Sequence, residues 1–403
     1  MDFGNLHSPL AVHAKNNPNK AAIIYENRAI TFKELYERVL QVANSLLDMG
    51  IRKGDHVGLY MRNRMEVIEI YQALSTIGAV IVPFNYMIGG NDLLRLVKSS
   101  NLKCIFVEKE QFDSFEKISP NFDQSNNSPI TIVIDVNEPN KNHVHYDALV
   151  SSKKDEKPQI DVRSDDRAAL MYTSGTTSSP KGLIYSQGNW VYRVFTSILE
   201  WNLSNKDIML VSTPMYHGVG FCYAFIGCFI GCTTVISRKF HAERILKLME
   251  DHKITHAFFV PTQYKMMLDV PSFDNYDLSS LKTLVSAAAP LPASVKKKIL
   301  EKFKCNLTEY YGSTESGRVT SLRPDDVIRK TESVGQQVPF VELRLVDDEG
   351  NDVKPGEEGE FAVRGPGVFQ GYYNSNEEME SSFLPGGWFR IGDMGRVDDE
   401  GFY

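Results

Sequence analysis

The sequence predicts an α/β fold: two packed α/β subdomains with mostly parallel sheets, residues 1–166 and 167–330, and then a small C-terminal β-barrel subdomain, residues 331–403. Three observations predict it. Short apolar runs alternate with amphipathic helical stretches from Ala21 to Val107. The alternation resumes past Asp166, with apolar runs near Ile208–Ser212, Thr234–Ile236, His256–Val260 and Leu284–Ala287. From Ser333 the pattern shortens to alternating strands and turns, as in Val341–Val346 followed by Asp348-Glu349-Gly350-Asn351. A chain of 403 residues, 42% hydrophobic and 24% charged, is long enough to bury the cores this requires.

In chain order, Ala21–Tyr25 and Ala29–Ile30 suggest a hairpin. Thr31-Phe32-Lys33-Glu34 then has capping-box spacing before a helix that Gly50 ends. Asp55–Tyr60 reads as a strand, Arg64–Ile77 as a helix, Ala79–Pro83 as a strand, Asp92–Ser99 as a helix and Cys104–Val107 as a strand. Glu108 to Asp166 is polar, a surface excursion interrupted by a strand at Ile130–Val136.

Composition excludes several classes. A formal charge of −7 argues against a general nucleic-acid binder. Five cysteines without a C-x-x-C pair fit reduced, buried thiols better than a disulfide framework or a zinc site, which points to the cytoplasm. The N-terminus lacks the apolar core of a signal peptide. Gly218 to Ile236 carries no charge over nineteen residues, but four glycines interrupt it and Thr233–Ile236 resembles a separate strand; a buried helix followed by a strand is predicted, not a membrane span.

The stretch Tyr172-Thr173-Ser174-Gly175-Thr176-Thr177-Ser178-Ser179-Pro180-Lys181-Gly182 follows the apolar run Ala168–Met171. Small hydroxyl side chains and glycine let backbone N–H groups and hydroxyls converge on an anion, and Lys181 adds a point charge. A Walker A loop fails at both decisive positions, because Pro180 replaces its second glycine and Gly182 its hydroxyl residue. The stretch closely resembles the phosphate loop of the adenylate-forming superfamily, which includes acyl-CoA synthetases, peptide-synthetase adenylation domains and luciferases.

A second match is Tyr310-Tyr311-Gly312-Ser313-Thr314-Glu315. The resemblance implies that Tyr311, beside Tyr310, stacks on adenine, that Thr314 contacts the α-phosphate region, and that Glu315 holds Mg2+ with Thr173 as a metal-side partner. One carboxylate suffices for such a cation because nucleotide phosphates and water complete its shell. Val285–Leu291 resembles the small-residue strand end beside the adenine, which places Ala288 and Ala289 there. Trp388–Asp393 resembles the segment whose aspartate, here Asp393, accepts the ribose hydroxyls.

Pro214-Met215-Tyr216-His217-Gly218 resembles the family's P-M-x-H segment, so His217 is expected to guide the carboxylate, although a lone histidine is more often a satisfied core residue. His217, Lys181 and Thr314 are the catalytic candidates. Glycine at 312, where acetate-using relatives carry tryptophan, implies an open pocket floor. With Phe221, Phe225 and Phe259 as walls or core, it favours an acid larger than acetate. Peptide-synthetase adenylation domains usually place an aspartate near Met215-Tyr216-His217, and its absence disfavours amino acids.

The resemblance covers essentially the whole chain and implies that it is the family's large N-terminal part, the small C-terminal domain with its catalytic lysine not following Tyr403. The expected activity is ATP-dependent conversion of a small-molecule carboxylic acid, with medium- or long-chain fatty acids favoured, to acyl-AMP and then to the CoA thioester. ATP, Mg2+ and CoA are the cofactors and cosubstrates. Transfer to a carrier-protein thiol and a non-catalytic ATP or acyl-adenylate binding module are the alternatives.

Overall fold

A computed structural model describes residues 4–122, 128–137, 143–151, 155–173, 181–354, 356–375 and 382–403. The chain forms two compact units, Met1–Val191 with Pro214–Gly231, and Tyr192–Thr213 with Cys232–Tyr403.

In the first unit, Thr31 caps the helix Phe32–Asp48. Its hydroxyl accepts from the Glu34 backbone N–H at 3.2 Å while Glu34 Oε2 accepts from the Thr31 N–H at 2.7 Å, the reciprocal box the spacing predicts. The preceding hairpin pairs Ala21–Tyr25 with Arg28–Thr31. The main sheet runs, in spatial order, Lys181–Ser186, Arg167–Thr173, Val80–Pro83, His56–Tyr60, Leu102–Glu108, Ile130–Ile134, Val144–His145. All its neighbours are parallel except the first pair. The helix Met65–Ile77 is buried on every face and ends where Gly78 takes a left-handed conformation, φ 69°.

The expected boundary at residue 167 does not coincide with this sheet. Arg167–Thr173 pairs with Val80–Pro83, Ala169 opposite Ile81, and so belongs with the first set of strands. Pro214–Gly231 also returns to the first unit.

The uncharged stretch resolves as the buried helix Gly218–Ile230, a left-handed Gly231 at φ 75°, and the strand Thr233–Ile236. Gly220 is obligatory, since a Cβ there would lie 2.1 Å from the Pro214 carbonyl oxygen. Among the described residues no helix is long and apolar enough to cross a membrane.

In the second unit, Ile208–Val211, Thr233–Ile236, His256–Phe258, Thr283–Ser286 and Asn306–Ser313 pair in parallel. Gly317–Leu322 and Gln336–Gln337 extend the edge antiparallel. A second, antiparallel sheet contains Glu342–Val346, Gly359–Arg364, Trp388–Gly395 and Phe383–Leu384 around a core of Val346, Ala362 and Trp388. Among the described residues it is a four-stranded half-barrel, the small β-subdomain the sequence predicts.

Candidate active site

In the first unit, Thr173 ends one strand and Lys181 begins the next, the two standing opposite each other in an antiparallel ladder. Ser174, Gly175, Thr176 and Thr177 lie outside the described residues. The stem is anchored by Tyr172, whose hydroxyl accepts from Ser100 Oγ at 3.0 Å and whose ring stacks on Phe84. Lys181 is therefore the first residue of a strand, half-buried, where the sequence reading placed it within the loop.

His217 caps the helix Gly218–Ile230 with extended backbone, and no partner among the described residues hydrogen-bonds its ring. The imidazole lies 4.3 Å from the Tyr216 ring, Tyr216 meets Tyr86 edge-on at 5.4 Å, and the Arg62 guanidinium sits 4.3 Å over Tyr86. His217 is exposed by area, yet the protein mass beside it costs the imidazolium hydration and holds its pKa below the usual value. The neutral ring is thus favoured at neutral pH.

Phe221 is fully buried, packed 4.8 Å from Tyr71, 4.4 Å from Trp190 and 5.1 Å from Phe225. In the second unit Phe259 is equally buried, against Phe240 and Tyr264. Both rings are core in this structure, and neither presents surface to a ligand.

The second unit brings the Tyr310–Glu315 segment to the end of its parallel strands, where ligands bind in open α/β sheets. Ser286 pairs with Glu309, so Ala288 and Ala289 leave the sheet level with the two tyrosines. Both alanines are exposed, and Ala288 holds φ at 72°. Strand alternation turns the tyrosines to opposite faces. Tyr310 faces Phe258 and lies under the Arg318 guanidinium at 4.4 Å. Tyr311 packs on Phe361, and its hydroxyl donates to Asp393 Oδ2 at 2.7 Å. Burial first, and the adjacent carboxylate second, keep the Tyr311 phenol neutral by raising its pKa.

Gly312 has a backbone reason to be glycine: a Cβ would lie 1.8 Å from the Gly317 carbonyl oxygen across the hairpin, beside a register shift. The turn that follows is closed by two serines, Ser313 N–H donating to Ser316 Oγ and Ser316 N–H to Ser313 Oγ. It delivers Thr314 and Glu315.

The Glu315 carbonyl accepts from Phe369 N–H at 2.9 Å and from Arg193 Nη2 at 3.0 Å. Its carboxylate, half-buried, has no hydrogen bond or ion pair among the described residues. No group of three or more His, Cys, Asp or Glu able to hold a metal occurs among them either. A cation beside Glu315 would take most ligands from phosphate and water, which is how magnesium is usually bound; the residues present fit that ion.

Sequence reasoning missed Arg193. A signal was available: a charged residue three positions after Trp190 and four before Ser197, on the stripe of a helix that is otherwise core.

The family model described as AMP-binding enzyme matches residues 10–373. The chain belongs to this family. It is an adenylate-forming enzyme, as its two motifs led one to expect. Indoleacetate–CoA ligase of Aromatoleum aromaticum is 31% identical over 396 residues, covering 97% of this chain and 76% of that protein. Feruloyl-CoA synthase of an Amycolatopsis species is 29% identical, with the same coverage. Among solved structures, the N-terminal domain of FACL13 from Mycobacterium tuberculosis superposes with a TM-score of 0.90 at 24% identity, covering 99% of this chain and 98% of that one, a likeness of fold.

Proposed function

We propose that the protein is an AMP-forming acyl-CoA synthetase, and that its acid is an aryl or arylalkyl carboxylate. A carboxylate oxygen attacks the α-phosphorus of ATP and pyrophosphate leaves; the CoA thiol then attacks the acyl carbonyl, and AMP leaves as the thiol proton passes to solvent. The first step needs placement and charge stabilisation more than covalent help from the protein.

The observation that carries this reading is the arrangement in the second unit, where Glu315, its carboxylate without a partner among the described residues, follows a tyrosine hydrogen-bonded to Asp393 at the end of parallel strands. In this proposal Tyr311, Ala288 and Ala289 receive the adenine, Asp393 the ribose hydroxyls and Thr314 the α-phosphate. Thr173, Ser174, Gly175, Thr176, Thr177 and Lys181 cradle the phosphates. Glu315 holds magnesium, which supplies neutralisation of phosphate charge. His217, its ring neutral and without a hydrogen-bond partner among the described residues, orients the attacking carboxylate.

The preference for an aryl over a fatty acid has two supports. Two relatives that align over nearly the whole chain are named for indoleacetate and ferulate. A long aliphatic pocket also has less support, because Gly312 answers to the Gly317 carbonyl and Phe221 and Phe259 are core.

Incubating the full chain with ATP, Mg2+, CoA and equimolar indoleacetate, ferulate, octanoate and palmitate, and weighing the thioesters by mass spectrometry, tests it. Aryl thioesters should dominate by at least tenfold. Preferential octanoyl- or palmitoyl-CoA would overturn the acid assignment, and transfer only to a phosphopantetheinylated carrier would overturn the CoA assignment.

A further inference from the structure

Arg193 is buried, with 8% of its surface exposed, on the helix Gln187–Glu200. Its guanidinium reaches three backbone carbonyls: Nε donates to Gly367 at 2.8 Å, and Nη2 donates to Thr314 at 2.9 Å and to Glu315 at 3.0 Å. Two of those carbonyls belong to the residues whose side chains are assigned to α-phosphate and magnesium. Gly317, left-handed at φ 72°, makes room for the contact, since a Cβ there would lie 2.9 Å from Arg193 Nε.

Resting on the adenylating function proposed above, we propose that Arg193 is a positioning residue that fixes the backbone of Thr314 and Glu315 and so sets where the metal–phosphate end of ATP is held. The Glu315 carboxylate has no side-chain partner among the described residues to aim it, so its direction is inherited from its backbone. That backbone is held at its carbonyls by Arg193 and the Phe369 N–H, and at its flanks by the Ser313–Ser316 pair. A guanidinium is a planar fork with donors in fixed directions, and it holds separated carbonyls in one relative geometry. A lysine keeps the charge and loses the fork. The base-and-ribose end is built by Tyr311, on the strand that leads into this turn, and by Asp393 on the half-barrel, and none of the three carbonyls named above belongs to either residue.

The test is calorimetric titration of the full chain and its Arg193→Lys variant with ATP plus Mg2+, ATP in EDTA, and adenosine. In the unsubstituted protein Mg2+ should tighten ATP binding. In Arg193→Lys, Mg-ATP affinity should fall at least tenfold and the benefit of Mg2+ should vanish, while adenosine affinity changes less than threefold. If that variant does not fold, as judged by circular dichroism, Gly317→Ala, whose Cβ crowds the guanidinium, should give the same split. Retained Mg2+ benefit, or equal loss for Mg-ATP and adenosine, overturns the proposal and leaves a merely structural arginine. An unsubstituted protein that binds neither ATP nor adenosine would instead overturn the adenylating function itself, and the positioning role with it.

Discussion

The Tyr311 hydroxyl donates to Asp393 Oδ2 at 2.7 Å, joining the last parallel strand of the large sheet to the longest strand of the half-barrel. A carboxylate has capacity for several donors, so Asp393 can accept from the phenol and from ribose together. Asp393→Ala is expected to weaken adenosine and ATP alike by 10- to 100-fold, roughly 1.4–2.8 kcal/mol. Tyr311→Phe keeps the ring and should cost less than fivefold. Equilibrium titration with both ligands checks the pair; an Asp393→Ala protein with unchanged adenosine affinity would remove the ribose role.

Gly312→Ala separates two accounts of one glycine. The Cβ collides with the Gly317 carbonyl, so the hairpin must open, at a cost of about 1–3 kcal/mol by analogy with overpacked cores. Denaturant melts should show that loss together with weakened ATP binding. A variant of unchanged stability that merely favours shorter acids would restore the pocket-floor account.

Ala288 occupies a left-handed conformation at φ 72° and is exposed, so its β-carbon is strained without gaining packing. Ala288→Gly should stabilise the protein by about 0.5–1 kcal/mol. Thermal melts of the two proteins would show it, and a lowered melting temperature would contradict the backbone assignment.

His7 gives a pH prediction. Burial, and Lys157 after it, lower its pKa from 6.5 to about 4 against an opposing hydrogen bond with the Ser75 backbone. The unfolded chain binds the proton more readily, so this stability is complete above pH 6.5 and is lost as pH falls toward 4. The loss is at most about 3 kcal/mol. Urea melts at pH 7.5, 5.5 and 4.5 should show a steeper decline for the unsubstituted protein than for His7→Gln. Parallel declines would exclude His7 as the source.

Local signals carried well from sequence to structure. The capping box at Thr31–Glu34, the helix read at Arg64–Ile77 and the helix–break–strand reading of 218–236 depend on near neighbours, and each appears. What failed depends on distant ones. Arg167–Thr173 joins the first sheet because of a partner at Ile81, which no local period reveals. Phe221 lies on a helix buried almost all round, where apolar periodicity cannot separate a pocket wall from core. Gly312 answers to a carbonyl five residues on, across a turn. Arg193 binds carbonyls more than 120 residues away, and backbone acceptors leave no complementary side chain in the sequence to find.

Adenylation is measured most directly by acid-dependent exchange of labelled pyrophosphate into ATP by the full chain, with Glu315→Gln alongside. Exchange should require both Mg2+ and an aryl carboxylate and should fall at least tenfold in Glu315→Gln. Exchange that is absent with every acid offered, or indifferent to the acid or to Glu315, would contradict the proposed function.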